Sequence, residues 1–132
     1  MRIRKIVVGG AAAIALALTL SVAAWACTTS GHFGTTWFCQ TSSTCASPGN
    51  SLTKSSAAFQ RINARASKTY TLNYDVSTND CHAGPSFGSI TTDSTGKGTA
   101  SITAPATANT YTACPTRTDI NEATNHFNFV VT

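Results

Sequence analysis

The side chains of this 132-residue chain that could carry chemistry are three histidines, five cysteines and five acidic residues. A zinc site or an activated thiolate needs such groups close together. His32, His82 and His126 are far apart in the sequence and follow no ligand spacing, which predicts separate surface imidazoles and no metal site. Cys81 and His82 are adjacent, but neighbours in an extended chain point to opposite faces, which is poor geometry for proton transfer. We therefore expect Cys81 in a disulfide.

Other catalytic patterns are also missing from the sequence. The segment 93–98 (DSTGKG) leads into a predicted strand, whereas a phosphate-binding Gly-Lys-Ser/Thr loop leads into a helix. Asp93 is the only acidic residue in this segment, which is too few for a calcium loop. The acidic residues show no pairing. We predict no catalytic residue, no cofactor and no enzymatic activity.

Residues 1–26 have the three zones of a cleavable secretion signal. A positively charged start is followed by an uncharged run over residues 6–20 and by small residues that end in Ala24-Trp25-Ala26. We predict cleavage after Ala26, with cleavage after Ala24 as an alternative. The whole uncharged stretch over residues 6–26 has 21 residues and is also long enough for a retained anchor, but Gly9-Gly10 and the small residues at its end favour cleavage.

Cys27 would be the first residue of the exported chain, where bacterial lipoproteins carry their lipid. The bulky Trp25 fits the lipoprotein pattern poorly, so we predict that Cys27 is not lipidated. Residues 27–132 would then form a single secreted domain. The alternative is a domain anchored to the cell envelope through a lipid on Cys27, which would be its only attachment to a membrane.

The predicted domain has almost no net charge. Removing 26 of the 132 residues leaves 106, with six basic and five acidic side chains, because three of the nine basic residues lie in the signal. A nearly neutral surface gives no electrostatic basis for binding nucleic acid or an anionic membrane. Ser and Thr make up 35 of the 106 residues, a polar and uncharged composition typical of extracellular β domains.

All five cysteines follow the predicted cleavage site, in an oxidising compartment where disulfides are the default. The number is odd, so one cysteine is left over, and the sequence alone does not fix which one. Proximity favours a bridge from Cys39 to Cys45 that closes a short loop. It also favours a bridge from Cys81 to Cys114 that joins two distant segments.

Alternating apolar and polar residues predict short strands along the whole domain, most clearly at residues 70–76. Residues 86–92 and 97–104 are predicted to form a hairpin around a turn at 93–96. Further strands are predicted at 35–38, 109–114 and 126–131, while 55–62 could be a strand or a helical turn. Six or seven short strands predict an all-β fold, a small disulfide-stabilised β-sandwich of the immunoglobulin-like type.

Two blocks carry a resemblance to known families. Residues 68–76 (KTYTLNYDV) and 87–102 (FGSITTDSTGKGTASI) resemble bacterial secreted immunoglobulin-like domains, in which a Tyr-rich strand precedes a hairpin of the form Thr-Asp-x-x-Gly-x-Gly. A narrower likeness is to the neocarzinostatin family of chromophore-carrying apoproteins, which also combine such a hairpin with two disulfides. This chain departs from that family in its Cys-rich N-terminal segment and its fifth cysteine. The first resemblance implies the architecture, and the second would imply carriage of a small molecule.

An aromatic segment at residues 32–39 (HFGTTWFC) lies among the cysteines. Trp37, Phe38 and His32 are candidate ligand contacts, because exposed aromatic rings can stack on sugars or anchor a protein partner. Alternatively, Trp37 or Phe38 packs on a disulfide as part of the core. Because neighbouring strand residues face opposite ways, only one of these two rings can face the core.

Together these patterns favour a secreted or envelope-associated, non-enzymatic binding domain whose partner is an unknown protein or polysaccharide. The alternative is a small secreted enzyme inhibitor or toxin-like effector, because disulfide-bound loops can present a peptide to an enzyme. Retention on polysaccharide would favour the first function, and a tight complex with a protease or glycosidase would favour the second.

Overall fold

A computed structural model describes residues 31–132, which form eleven β-strands and no α-helix. Four of these strands have two residues, and the other seven have five to eight. The elements are β1 (Gly31–His32), β2 (Thr35–Cys39), β3 (Ser51–Leu52), β4 (Ala57–Asn63), β5 (Thr69–Val76), a 3-10 turn (Cys81–Ala83), β6 (Ser86–Thr91), β7 (Lys97–Thr103), β8 (Asn109–Ala113), β9 (Thr116–Arg117), β10 (Glu122–Ala123) and β11 (Phe127–Val131). The all-β prediction is confirmed. The predictions for the signal, its cleavage and Cys27 lie outside the described residues.

The strands form two sheets. The larger sheet has eight strands in the order β1-β10-β9-β5-β8-β11-β3, with β6 also paired to β5. The smaller sheet has the order β2-β4-β7 and is antiparallel throughout. In the larger sheet, β5 pairs with β6 on one side, and with β9 and then β8 on the other. This strand therefore organises the centre of the larger sheet.

The inner faces of the two sheets enclose one hydrophobic core. Phe38 from the smaller sheet and Phe129 from the larger sheet are both fully buried, and their ring centroids are 4.3 Å apart. Ile62 and Ile102 extend the core on the first sheet, and Leu72 extends it on the second. The alternation of buried and exposed residues along the long strands gives each sheet this inner face.

The predicted hairpin over residues 86–104 is wrong in its pairing, because β6 and β7 lie in different sheets. β6 pairs with β5, and β7 pairs with β4. The turn at 93–96 does form: the Asp93 carboxylate accepts hydrogen bonds from the Thr95 and Lys97 backbone N–H groups, at 2.8 and 3.0 Å. Gly96 has φ +83°, and a Cβ there would lie 2.1 Å from the Ala64 carbonyl oxygen. The turn therefore carries the chain from one sheet across to the other.

Two disulfides stabilise the domain, one from Cys39 to Cys45 and one from Cys81 to Cys114. These are the two pairs that proximity in the sequence favours. The first closes a short loop beside β2, and the second joins the 3-10 turn to the end of β8. Such disulfides are typical of an oxidising, extracellular setting. Within residues 31–132, no helix has the length and apolar character needed to cross a membrane.

Candidate functional site

The aromatic neighbours Trp37 and Phe38 lie on opposite faces of β2. Phe38 is fully buried in the core, while Trp37 is half-buried on the outer side of the smaller sheet. Only one of the two rings faces the core, as the alternation of a strand requires. Phe38 is thus a core residue, and Trp37 remains the candidate for ligand contact.

The register of the smaller sheet places Trp37 within a wider surface. Trp37 pairs with Arg61 on β4, and Arg61 pairs with Thr99 on β7. Phe59 and Ser101 form part of the next row along the same strands. We call these five residues the outer sheet face. It combines two half-buried aromatic rings, two hydroxyl groups and one guanidinium group on one side of a sheet.

The disulfide loop at residues 40–44 is fixed to the edge of this face. Trp37 Nε1 donates a hydrogen bond of 2.7 Å to the Cys45 carbonyl oxygen. Arg61 donates to the Thr44 carbonyl oxygen at 3.3 Å and to Thr99 Oγ1 at 2.9 Å. With the Cys39–Cys45 bridge, these bonds hold loop and sheet in one arrangement. A surface fixed in this way loses little conformational entropy when it binds a partner.

The remaining predicted contact, His32, does not belong to the outer sheet face. It lies on β1 in the larger sheet, and its ring centroid is 5.2 Å from that of His126. His82 approaches His126 from another direction, also with a centroid distance of 5.2 Å. His32 and His126 lie at the surface as predicted, but the three imidazoles are not separate. We call these three residues the histidine cluster.

Three contacts that are not local in sequence assemble the histidine cluster. His82 lies in the 3-10 turn, and the disulfide links this turn to Cys114. Ala113 pairs with Phe127, so Cys114 and His126 are the next residues along their two strands. Segment 31–34 runs alongside segment 122–125. Phe33 N–H donates to the Ala123 carbonyl, and Asn125 N–H donates to the Gly34 carbonyl. This pairing brings His32 next to His126.

His82 is the most buried member of the histidine cluster, with 10% of its side chain exposed. Its Nδ1 lies 2.9 Å from a carboxylate oxygen of Asp80, which also accepts a hydrogen bond from the His82 backbone N–H. Its Nε2 is buried and has no hydrogen-bond partner among the described residues. The carboxylate holds the ring by one nitrogen and leaves the other available as a ligand.

The sulfur atoms of the neighbouring disulfide complete the surroundings of this cluster. One ring nitrogen of His82, one of His126 and the sulfurs of Cys81 and Cys114 all lie within 4.8 Å of one another. Cys81 and His82 thus come closer than we expected, because they lie in a 3-10 turn and not in an extended strand. Cys81 is disulfide-bonded, as expected, so the pair has no thiolate nucleophile. Burial, together with the nearby His82 and His32, lowers the pKa of His126 below its usual value.

An ion-pair network lies near the ends of β9 and β10. Arg117 contacts Asp119 at 2.7 Å and Glu122 at 3.3 Å, and Arg65 contacts Glu122 at 3.2 Å. The Arg65 guanidinium also lies 3.6 Å from the centre of the Phe33 ring. The hydrogen bond from Arg117 lowers the pKa of Asp119 to about 2, and that from Arg65 is the main cause of a lowered pKa at Glu122. Asp119 is thus paired with Arg117, and Glu122 with Arg65 and Arg117, so these contacts join the segments of the chain that carry them.

No known protein family matches the chain, and no curated protein matches it either. The resemblances to secreted immunoglobulin-like domains and to the neocarzinostatin family therefore have no support beyond the sequence blocks at 68–76 and 87–102.

Proposed function

We propose that this chain is a secreted, non-enzymatic binding domain that holds a polysaccharide on its outer sheet face. The observation that carries the proposal is the position of Trp37, half-buried on a sheet surface and held in place by its hydrogen bond to Cys45. An indole ring fixed in this way offers a flat apolar platform on which a sugar ring can stack.

The groups around Trp37 fit the chemistry of a sugar. Hydroxyl groups of Thr99 and Ser101, together with the guanidinium of Arg61, can exchange hydrogen bonds with sugar hydroxyls. The Nε of Arg61 is buried and unpaired within the described part of the chain, so one donor beneath this surface is not used by the fold. The five residues of the outer sheet face include no carboxylate and no imidazole, so the surface lacks a general acid or base.

Affinity measurements on the disulfide-intact protein test this proposal. We expect retention on insoluble cell-wall polysaccharide and a titratable interaction with one or more soluble glycans. Trp37→Ala should weaken binding by about 2 kcal/mol, or roughly 30-fold, which is typical of the loss of a central aromatic anchor. Ile120→Ala is the matched control, because Ile120 is a large apolar residue, 49% exposed, outside the outer sheet face.

A second variant separates loss of contact from loss of structure. Trp37→Phe removes the bond to Cys45 and keeps an aromatic ring, so it should retain more binding than Trp37→Ala. Thermal unfolding of each variant checks that the fold is intact. The proposal is overturned if no polysaccharide retains the protein, or if well-folded Trp37→Ala binds as tightly as the wild type.

The disulfide loop gives specific support to a second candidate function, inhibition of a secreted enzyme. Residues 41–44 are all exposed, and the loop is fixed by the bridge and by the bonds from Trp37 and Arg61. Rigid, exposed loops of this kind suit the active-site cleft of a hydrolase. A stable complex with a protease or glycosidase, abolished by Ser43→Asp, would support this function. Unchanged enzyme activity at saturating protein would exclude it for the enzyme tested.

A further inference from the structure

We propose that the histidine cluster, His32, His82 and His126, binds one divalent transition-metal ion, Zn²⁺ or Cu²⁺, while the Cys81–Cys114 disulfide remains intact. The site lies on the larger sheet and the 3-10 turn, apart from the outer sheet face. The inference is therefore independent of the proposed polysaccharide binding.

The ring of His126 has the spacing to each of the other two rings that two ligands of a single ion have. His126 lies between the other two, with a centroid distance of 5.2 Å to each. Two imidazoles bound tetrahedrally through metal–nitrogen bonds of about 2.0–2.1 Å place their centroids about 5 Å apart. The rings are inclined to one another by 80° and 54° and do not stack face to face. His32 and His126 are exposed, so an ion can enter directly from solvent.

His82 supplies the second, independent observation. A buried imidazole normally has a partner for each of its nitrogens, yet the buried Nε2 of His82 has none among residues 31–132. Its Nδ1 is held by the carboxylate of Asp80 at 2.9 Å. A carboxylate that accepts the Nδ1 proton fixes the tautomer with a lone pair on Nε2 and makes that nitrogen a better metal ligand. The ring is thus already oriented for coordination, and Asp80 is its positioning residue.

The disulfide stabilises the site without ligating the ion. Thiolates bind zinc and copper, but the sulfurs of Cys81 and Cys114 are joined to each other. The bridge instead holds the turn of His82 against the strand end that carries His126. Three imidazoles leave a fourth coordination position for water or an external ligand. Imidazole suits both zinc and copper, and the general order of divalent affinities places Cu²⁺ above Zn²⁺.

The test is a titration of tag-free, metal-stripped protein with its disulfides intact, using ZnCl₂ and CuSO₄ separately. Calorimetry and native mass spectrometry should both give one ion per chain, with Cu²⁺ bound more tightly. These three are the only histidines in the sequence, so no other imidazole contributes background. His32→Ala and His126→Ala change exposed residues, and each should weaken binding at least about 10-fold.

Asp80→Asn tests the positioning role without removing a ligand, and it should weaken binding about 10- to 100-fold. Asp93→Asn is the matched control, because Asp93 also accepts a hydrogen bond from the backbone N–H two residues later but lies in the turn at 93–96. It should bind the metal as the wild type does. A role for Asp80 in folding alone would leave the metal affinity of the folded variant unchanged.

Three results would overturn the proposal. The first is the absence of binding by the disulfide-intact protein, and the second is unchanged binding by the double variant His32→Ala/His126→Ala. The third is binding that appears only after reduction, with thiolate-to-metal charge transfer in the cobalt-substituted protein. That spectrum would assign the ion to Cys81, His82, Cys114 and His126 of the reduced chain. The ligand atoms of these four residues lie within 4.8 Å of one another in the disulfide-bonded structure.

Discussion

At the scale of single residues, β2 divides its two aromatic neighbours between core and surface: Phe38 is fully buried and Trp37 is half-buried. The alternation along β2 was sufficient to predict that only one of Trp37 and Phe38 reaches the core, since the geometry of an extended chain decides it locally. The histidine cluster could not be predicted in this way. His32, His82 and His126 are separated by 50 and 44 positions in the sequence. They meet only after a disulfide and two strand pairings have formed.

The difference in burial between Phe38 and the exposed residues of β2 predicts a difference in how much each residue stabilises the fold. Phe38 is fully buried and contacts the rings of Phe87, Phe127 and Phe129 across the core. Phe38→Ala should therefore reduce the free energy of unfolding by about 3–5 kcal/mol. Thr35→Ala, at an exposed position of the same strand, should change it by about 0.5 kcal/mol or less. Urea unfolding at neutral pH measures both, and equal effects would contradict the assignment of Phe38 to the core.

At the level of whole elements, periodicity located the strands but did not identify their partners. The predicted strands at 70–76, 97–104 and 109–114 correspond closely to β5, β7 and β8. The hairpin prediction was wrong because an alternating pattern defines an inner face and says nothing about which sheet that face belongs to. The ambiguous stretch at 55–62 became a central strand, β4, because β2 and β7 pair with it on both sides.

The two disulfides should differ in their contribution to stability. The Cys81–Cys114 bridge spans 33 positions and the Cys39–Cys45 bridge spans 6. Because a cross-link restricts the unfolded chain more when its loop is longer, we expect losses of about 4 and about 2 kcal/mol when each pair is replaced by serine. Chemical denaturation of the two double variants tests the order. A larger loss for the short loop would show that native contacts, and not chain entropy, dominate.

For the molecule as a whole, the ion-pair network predicts how stability depends on pH. The folded pKa values of Asp119, about 2, and of Glu122 lie below their unfolded values of about 4. Carboxylates with lowered pKa values stabilise the fold above the unfolded pKa, and this contribution is lost as the pH falls through the folded pKa. We therefore expect a constant contribution from about pH 7 to pH 5 and a decline between about pH 4 and pH 2.

Thermal melting across this range checks the prediction, with Arg117→Gln as the informative variant. It removes the main partner of Asp119 and a second partner of Glu122, so the melting temperature should fall less steeply with acid. Lys54→Gln is the control, because Lys54 is an exposed cation outside the network. Identical acid slopes for wild type and Arg117→Gln would show that other carboxylates govern the acid sensitivity.

Residues 93–96 carry the chain from one sheet to the other, so the successive strands β6 and β7 do not pair with each other. This arrangement affects how fast the domain can fold. The central strands pair with segments much later in the chain: β4 pairs Ala57 with Thr103, and β5 pairs Val76 with Tyr111. Topologies dominated by such distant pairings fold on a scale of roughly milliseconds to seconds, because long loops must close before the contacts form. A chain that already holds the Cys81–Cys114 bridge starts with the ends of β5 and β8 close together, whereas a reduced chain must find that pairing by diffusion. Early oxidation should therefore shorten the time for which unpaired strands are exposed to aggregation.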